Sequence, residues 1–343
     1  MKTTSLRALL LFVLASACRP QVGAPISSIS GPAILAVKSE PAEADPRSPG
    51  EATFHYEALA VDSNGRVPGP APTADINTPL LWATCDKPKP PTESNSVSTA
   101  CLDEIASPGV AGDSLDTYSA VAPSDSCTLF GPLTPPPVGD QPPFRPRDPD
   151  VTGGYYLPVR LSLSVPEDMR RVGMGAEDSI VAFQMQRLYC GLANAPGWAV
   201  IQYTKDYTLN QNPVIASFTL QEPGSDPVEV PPVSVGGAPF PVAAGQTVSL
   251  TVSWPADSVE SYPAWDVLTH TLPNHYEAMR VSWYATAGSF AHDITGRSEF
   301  ENDTTFADNT WTSGAPGLVH LWIVLHDSRG GTDFAGYDLE VTP

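Results

Sequence analysis

The chain has 343 residues, of which 18 are Lys or Arg and 38 are Asp or Glu, which gives a formal net charge of −20. So large an acidic excess repels nucleic acid and anionic lipid, and neither is an expected partner of the surface. The 38 prolines disfavour long helices, because proline removes a helix hydrogen-bond donor, and favour short strands joined by turns.

The N-terminus has the features of an export signal. Lys2 and Arg7 flank the start of an apolar run, residues 8–14, that is shorter than the roughly 20 residues needed to span a bilayer. Small residues and then Cys18 follow it. The arrangement resembles the signal peptide of a bacterial lipoprotein, and residues 1–17 are therefore predicted to be removed.

The resemblance implies that Cys18 is acylated and ties the chain to the lipid bilayer. A multiply acylated cysteine, carrying palmitate-like chains, gives a durable anchor, whereas one chain binds marginally. Aspartate after the cysteine often retains such proteins in the inner membrane. Arg19 stands there instead, which favours the outer membrane. Residues 18–31 are rich in proline and small polar residues and are predicted to be a flexible tether.

Four cysteines remain once Cys18 is assigned to lipid: Cys85, Cys101, Cys127 and Cys190. An exported chain meets an oxidising compartment, so two disulfides are expected. Four cysteines permit three pairings. We favour Cys85–Cys101 with Cys127–Cys190, because the first closes a short loop. Free thiols are the alternative, and the absence of a C-x-x-C spacing disfavours zinc.

Residues 32–211 are predicted to form a first β-sandwich with long proline-rich loops. Alternating or apolar runs predict strands over residues 33–37, 52–61, 80–85, 155–165 and 180–190. The Asn64-Gly65 pair favours a tight turn after the second of these. Residues 131–150 hold eight prolines and are predicted to be an exposed loop, with a ligand for a proline-reading partner as the alternative.

Asn212-Pro213 marks the predicted start of a second sandwich, residues 212–343. Strands are predicted over residues 214–220, 248–254, 279–285, 318–325 and 337–341. The two halves show a weak repeat, in which a glycine precedes an Asp-Ser pair by twelve residues and a tryptophan strand follows, at Trp82 and Trp283. A common ancestry of two domains would produce this pattern; coincidence is the alternative.

The second half carries two further runs. Residues 281–290 read VSWYATAGSF, and residues 318–331 read LVHLWIVLHDSRGG. Residues 212–341 thereby resemble the immunoglobulin-like and PKD-like modules of bacterial surface proteins. The resemblance implies a sandwich with a buried tryptophan on a central strand and supplies no catalytic residues. The whole chain resembles the surface lipoproteins of predatory, GC-rich, myxobacterial species.

One loop region concentrates groups that could perform chemistry. Asp266, His270, His275 and Glu277 lie close together in sequence, so a hydrolase or metal-dependent enzyme using the His270/His275 loop is the alternative function. No H-E-x-x-H occurs, and zinc requires ligands on preorganised elements. We therefore expect no metal, no cofactor and no catalytic residue. His320 and His326 share a face with the tryptophan between them, which predicts a half-exposed sheet surface.

Two weaker motifs are interpreted as loops. Residues 112–115 match the four-letter signature of GDSL hydrolases, but no buried strand precedes Ser114. Glu301, Asp303 and Asp308 lack the convergent spacing of a calcium site.

Five of the seven tryptophans lie in the second half. Trp265 and Trp311 have loop-like surroundings and are the candidate contacts for a stacked sugar. The sequence thus predicts an all-β protein with two immunoglobulin-like β-sandwich domains behind a lipoprotein signal peptide and a short tether. Its predicted function is that of a non-enzymatic envelope lipoprotein that binds or scaffolds an envelope protein or a glycan through loops at one end.

Overall fold

The structure is a computed structural model that describes part of the chain: residues 25–48, 52–67, 80–88, 97–103, 109–131, 139, 152–165, 179–192, 195–236, 238–301 and 303–343. The predicted signal peptide, Cys18 and the first part of the tether lie outside the described residues. So does nearly all of the proline-rich segment 131–150. Among the described residues, no helix combines the length and apolar content needed to cross a bilayer.

The first half holds nine strands and two helices among its described residues. They are β1 Ala33–Glu40, β2 Glu43–Ala44, β3 Thr53–Asp62, β4 Gly65–Val67, β5 Leu81–Thr84, β6 Val110–Ala111, β7 Thr117–Val121, α1 Ser126–Leu129, β8 Gly154–Ser164, β9 Ser179–Tyr189 and α2 Gly197–Asp206. A 3-10 turn covers Thr99–Cys101.

The described residues of the second half add twelve strands and two 3-10 turns, Val233–Val235 and Ala256–Ser258. The strands are β10 Ser217–Gln221, β11 Val228–Glu229, β12 Phe240–Ala243, β13 Thr247–Ser253, β14 Ser261–Pro263, β15 Asn274–Tyr276, β16 Met279–Ala285, β17 Ser289–Phe290, β18 Ile294–Arg297, β19 Phe306–Thr312, β20 Gly317–Asp327 and β21 Thr332–Thr342.

Both halves arrange their strands in the same order. In the first, β3 lies between β1 and β7, and the facing sheet runs β2-β9-β8-β5-β6. In the second, β13 lies between β10 and β19, and the facing sheet runs β12-β21-β20-β16-β18. In each facing sheet the edge strand, β2 or β12, runs parallel to its neighbour, while the other pairs are antiparallel. This is the order of immunoglobulin-like sandwiches, and the predicted all-β fold is confirmed.

Corresponding tryptophans lie in the two cores. Trp82 on β5 and Trp283 on β16 occupy equivalent central strands, and both are fully buried. The Trp283 indole N–H donates to Thr295 Oγ1 at 2.9 Å, which satisfies its polar group inside the core. The shared strand order and the equivalent tryptophans are what the predicted repeat requires.

Both predicted disulfides form. Cys85 bonds Cys101 across a separation of 16 residues, with 5.8 Å between their Cα atoms. Cys127 in α1 bonds Cys190 after β9 across 63 residues, with 5.5 Å between Cα atoms. The pairing is the one favoured from the sequence.

The two sandwiches pack sheet against sheet, and two strands are consequently apolar on both faces. On β3, Ala58 and Ala60 point into the first core, whereas Leu59 and Val61 point toward the second sandwich. On β20, alternate residues do the same, and Trp322 and Val324 meet Leu59 and Val61. The predicted half-exposed face around Trp322 is therefore wrong: the indole is 4% exposed, because the first sandwich covers it.

The prediction that residues 18–31 form a flexible tether is wrong for Ser27–Ile29. Ser28 pairs in parallel with Ala285, the Ile29 N–H donates to the Ala285 carbonyl at 2.9 Å, and Ala285 N–H donates to the Ser27 carbonyl at 2.9 Å. The Ser27 hydroxyl also donates to Asp293 Oδ1 at 2.6 Å. Ile29 is 4% exposed in the cluster that joins the sandwiches, and this burial keeps the segment in place.

Candidate binding groove

A groove of about 580 Å³ lies between the two sandwiches. All six residues 333–338 of β21 line it, as do residues 215–218 at the start of β10. Side chains of a strand alternate between the two faces of its sheet, so a cavity that touches six consecutive residues runs along the strand edge. Lys38, Glu57 and Arg66 form the opposite wall from the first sandwich.

This edge of β21 is open in the sense that its neighbouring strand, β12, pairs with only part of it, and the 3-10 turn Val233–Val235 lies near β21 without forming a strand pair. β12 pairs with residues 339–342, and β11 pairs with residues 219–220 of β10. Within the described part of the chain, residues 333–338 form no backbone-to-backbone hydrogen bond on the side away from β20. An open edge of this kind presents a row of backbone donors and acceptors.

Aromatic groups form the floor of the groove. The His320 ring stacks against Trp322 with centroids 5.9 Å apart, and His320 Nδ1 lies 2.7 Å from Asp338 Oδ1. The Arg66 guanidinium lies 5.6 Å from the centre of the Phe334 ring. Gly336 lets the backbone of β21 lie close to the buried Trp322 indole, since a Cβ built there would lie 3.2 Å from it.

Carboxylates outnumber cations along the groove. A second cavity of about 430 Å³ adjoins it and shares Lys38 and Glu57. Both cations of the two cavities are already paired: Lys38 with Asp333 at 2.9 Å, and Arg66 with Glu57 at 2.7 Å. The carboxylates are Glu40, Glu57, Asp113, Glu229, Asp333 and Asp338, against Lys38 and Arg66. The groove is therefore net negative.

A buried ionic junction fixes the two walls of the groove relative to each other. Arg329 donates through Nε to Glu277 at 2.7 Å, through Nη2 to Glu260 at 2.7 Å and through Nη1 to the Thr208 carbonyl at 3.0 Å. Its guanidinium lies 4.8 Å from the centre of the Tyr262 ring. These contacts join the second sandwich to the segment that connects the two halves.

The first sandwich enters the same junction through Glu43. This carboxylate accepts from Arg187 Nε at 3.1 Å, from the Tyr207 hydroxyl at 2.6 Å and from the Asn210 N–H at 2.8 Å. Asn210 in turn donates to Asp327 at 3.2 Å. Sequence reasoning missed this junction, because its members are scattered along the chain and no motif groups them.

Burial perturbs the acids of the junction. It raises the pKa of Glu277 to about 8 and also raises the pKa of Asp327. Four buried or partly buried carboxylates face two guanidinium groups here, so a proton on one of the acids relieves the surplus of negative charge.

Neither predicted sugar contact lies at the surface, which corrects that prediction. Trp311 lies on β19, is fully buried and donates to the Ala287 carbonyl at 3.2 Å. Trp265 is 5% exposed and packs against Ala199 and Tyr203 of α2. Alternating burial along β19 and the unpredicted helix α2 cover these rings, so neither offers a face for stacking.

The histidine loop is a hairpin whose register separates its candidate groups. His275 on β15 pairs with Tyr262 on β14 and lies 3.3 Å from Glu299, while His270 lies at the tip beside Trp265. Asp266 accepts from backbone N–H groups within the turn. Within the described ranges, no three His, Cys, Asp or Glu side chains are grouped so as to hold a metal.

The remaining motif residues are part of local turns and ladders. Ser114 contacts Thr117 at 2.7 Å and Asp116 at 3.2 Å, which closes the turn before β7. Glu301 accepts from the Ser298 N–H at 2.8 Å, and Asp308 accepts from Thr251 across the β13–β19 pair.

Neither a family model nor a curated protein matches the chain. Among solved structures, the chain is similar to domains 4 and 5 of the S-layer protein SbsC, at 10% sequence identity and a TM-score of 0.20. The match covers 90% of this chain and 99% of that chain. A TM-score this low supports no conclusion about fold, location or activity, and the fold stands on the strand order described above.

Proposed function

We propose that the protein is a non-enzymatic lipoprotein, anchored in the bacterial envelope through Cys18, that holds a partner in the groove between its two sandwiches. The groove is the observation that carries the proposal. Ligand sites favour the interfaces between domains, and this one combines aromatic groups, charges and an open strand edge in one concave surface.

The walls of the groove are preorganised. Leu59, Val61, Trp322 and Val324 close an apolar contact between the sandwiches, and the buried contacts of Arg329 hold the connecting segment. A site that is already ordered loses little conformational entropy when a ligand binds. This favours a binding or scaffolding role.

The leader supports the envelope location of the proposal. A resemblance to lipoprotein signals implies acylation at Cys18, and Arg19 favours the outer membrane over the inner one. The two disulfides, Cys85–Cys101 and Cys127–Cys190, suit an oxidising compartment outside the cytoplasm. The partners are then the bilayer itself and another component of the envelope.

Two measurements test this function. Mass spectrometry of the protein purified from its native membrane is expected to find Cys18 as the first residue, carrying acyl chains. A photo-crosslinking residue at Val233, which lines the groove and is 45% exposed, is expected to capture an envelope component in intact cells.

The matched control places the same crosslinker at Glu340, which is exposed on β21 but does not line the groove. An unmodified N-terminus would contradict the anchor. Equal crosslinking from both positions, or crosslinking from neither, would contradict the groove as the binding site.

A further inference from the structure

We infer that the groove binds an extended, basic peptide segment of an envelope protein, which adds as a strand along the open edge of β21 over residues 333–338. The inference rests on the proposed function and names the chemistry of the partner. In this mode of recognition, backbone hydrogen bonds supply affinity and alternate side chains supply specificity.

The open edge matches the length of a short strand. A strand rises about 3.4 Å per residue, so six residues offer an edge of roughly 20 Å. The groove runs beside all of residues 333–338, and it ends where β12 occupies the same edge at residues 339–342. An added strand would thus continue the sheet beyond the end of β12.

The two faces of an added strand would meet different surroundings. Toward the interior, it would lie beside the half-buried Ala335, whereas Tyr337 and Phe218 are already buried against each other in the core of the second sandwich. Toward the first sandwich, it would lie beside Phe334 and Asp338. An alternating peptide, apolar at every second position, fits this arrangement.

The negative charge of the groove favours basic residues on the face of the peptide that points toward the first sandwich. Glu57 and Asp338 line the side toward the first sandwich, Asp333 lies at the end of the groove beside Lys38, and Glu229 is exposed at the rim. Lys38 and Arg66 already pair with acids of the protein, so the surplus is negative. Lys or Arg side chains on the peptide would offset it, and acidic side chains would be repelled.

Synthetic peptides test the inference directly. Fluorescence anisotropy with the purified protein is expected to show binding of the peptide Lys-Val-Lys-Val-Lys-Val-Lys. The same peptide with Glu in place of Lys is expected to bind at least tenfold more weakly. Two further peptides carry N-methyl groups on either the Lys or the Val amides. In an extended peptide the N–H groups of the Lys residues point to one edge and those of the Val residues to the other, and strand addition uses only one edge. One methylated peptide is therefore expected to bind like the unmethylated peptide, and the other at least tenfold more weakly.

A charge reversal locates the site. Glu229→Lys is expected to weaken the basic peptide about tenfold, whereas the matched control Glu340→Lys, on an exposed position outside the groove, leaves binding unchanged. If both methylated peptides bind equally, or if Glu340→Lys weakens binding as much as Glu229→Lys, the inference is overturned. Displacement of the peptide by an uncharged oligosaccharide such as chitohexaose would also overturn it, in favour of a glycan.

The inference and the proposed function can fail separately. If the crosslinker at Val233 captures an envelope component while the peptides show no edge preference, the groove binds its partner by another mode and only strand addition falls. If Cys18 is unmodified but the peptides bind as expected, the lipid anchor is rejected and the strand-addition site is still supported.

Discussion

Glu277 is a buried acid of the junction between the sandwiches, and its charge depends on pH. Its side chain accepts from Arg329 at 2.7 Å, and burial raises its pKa to about 8, above the ordinary 4.5 expected in the unfolded chain. Between these two values the folded protein binds more protons than the unfolded one. The stability supplied by this group is therefore fully present below about pH 4.5 and is lost as the pH rises through 8.

The variant Glu277→Gln tests this titration. Gln keeps the shape of the side chain and cannot ionise, so the free energy of unfolding should depend less on pH between pH 5 and pH 9 than in the wild type. Urea unfolding at pH 5, 7 and 9 measures the difference, with exposed Glu340→Gln as the control. If the free energy of unfolding depends equally on pH in Glu277→Gln and in the wild type, Glu277 is ionised in the folded protein throughout this range.

At the scale of elements, short segments far apart in sequence hold the sandwiches in place. The segment Ser27–Ile29 adds a parallel bridge to the end of β16, and the two disulfides close loops of very different length. Each is a separate constraint on the fold, so each can be removed separately.

The bound N-terminal segment offers a matched pair of isoleucines. Ile29 is 4% exposed and Ile26 is 77% exposed. Ile29→Ala should lower the free energy of unfolding by about 2–5 kcal/mol, because it leaves a cavity between the sandwiches. Ile26→Ala should change it by no more than about 0.5 kcal/mol. Similar effects in the two variants, measured by urea unfolding, would mean that the segment is not packed as described.

The disulfides should differ in their contribution to stability. Loop-closure entropy predicts a loss of about 4 kcal/mol for the 63-residue separation of Cys127–Cys190 and about 3 kcal/mol for the 16-residue separation of Cys85–Cys101. Paired Cys→Ser variants, compared by urea unfolding, measure the order. A larger loss for Cys85–Cys101 would contradict the loop-length argument.

For the whole molecule, the contact between the sandwiches determines whether they unfold together. Trp322 contributes a buried ring to the cluster with Leu59, Val61 and Val324. Inter-domain contacts that are large and apolar suppress relative motion. The protein is thus expected to unfold in one cooperative transition while this contact is intact.

Trp322→Ala should separate that transition into two, since it removes a large ring from the interface and leaves a cavity that costs about 3–5 kcal/mol. Differential scanning calorimetry measures the number of transitions. Trp198→Ala is the control, because that ring is 55% exposed on α2 and should leave a single transition. A single transition in both variants would show that the Trp322 ring is not required to couple the sandwiches.

The sequence predicted the strands well and the relations between strands poorly. Alternation over β3, β8 and β13 is local and follows from burial of one face, so it was readable. Helix α2 was missed because one ten-residue helix is a weak signal in a proline-rich chain. The apolar run of β20 predicted a strand, but its second face was wrongly predicted to be half-exposed, because nothing in the run indicates the sandwich that covers Trp322 and Val324.

The groove could not be predicted because it depends on where pairing stops. β12 meets β21 at residues 339–342 and leaves residues 333–338 open, and this offset is a matter of register between distant segments. Trp311 looked like a loop residue for the same reason, because its strand partners on β13 lie some sixty residues away.

The fixed segment Ser27–Ile29 also sets a distance. If Cys18 carries acyl chains, only seven peptide steps separate it from Pro25, where the described chain begins, and seven extended residues reach about 25 Å. The second sandwich, to which the segment is bound, would then stay within one domain's breadth of the lipid. A partner would then have to place its basic segment close to the bilayer surface, because the tether is too short to let the groove move far from the membrane.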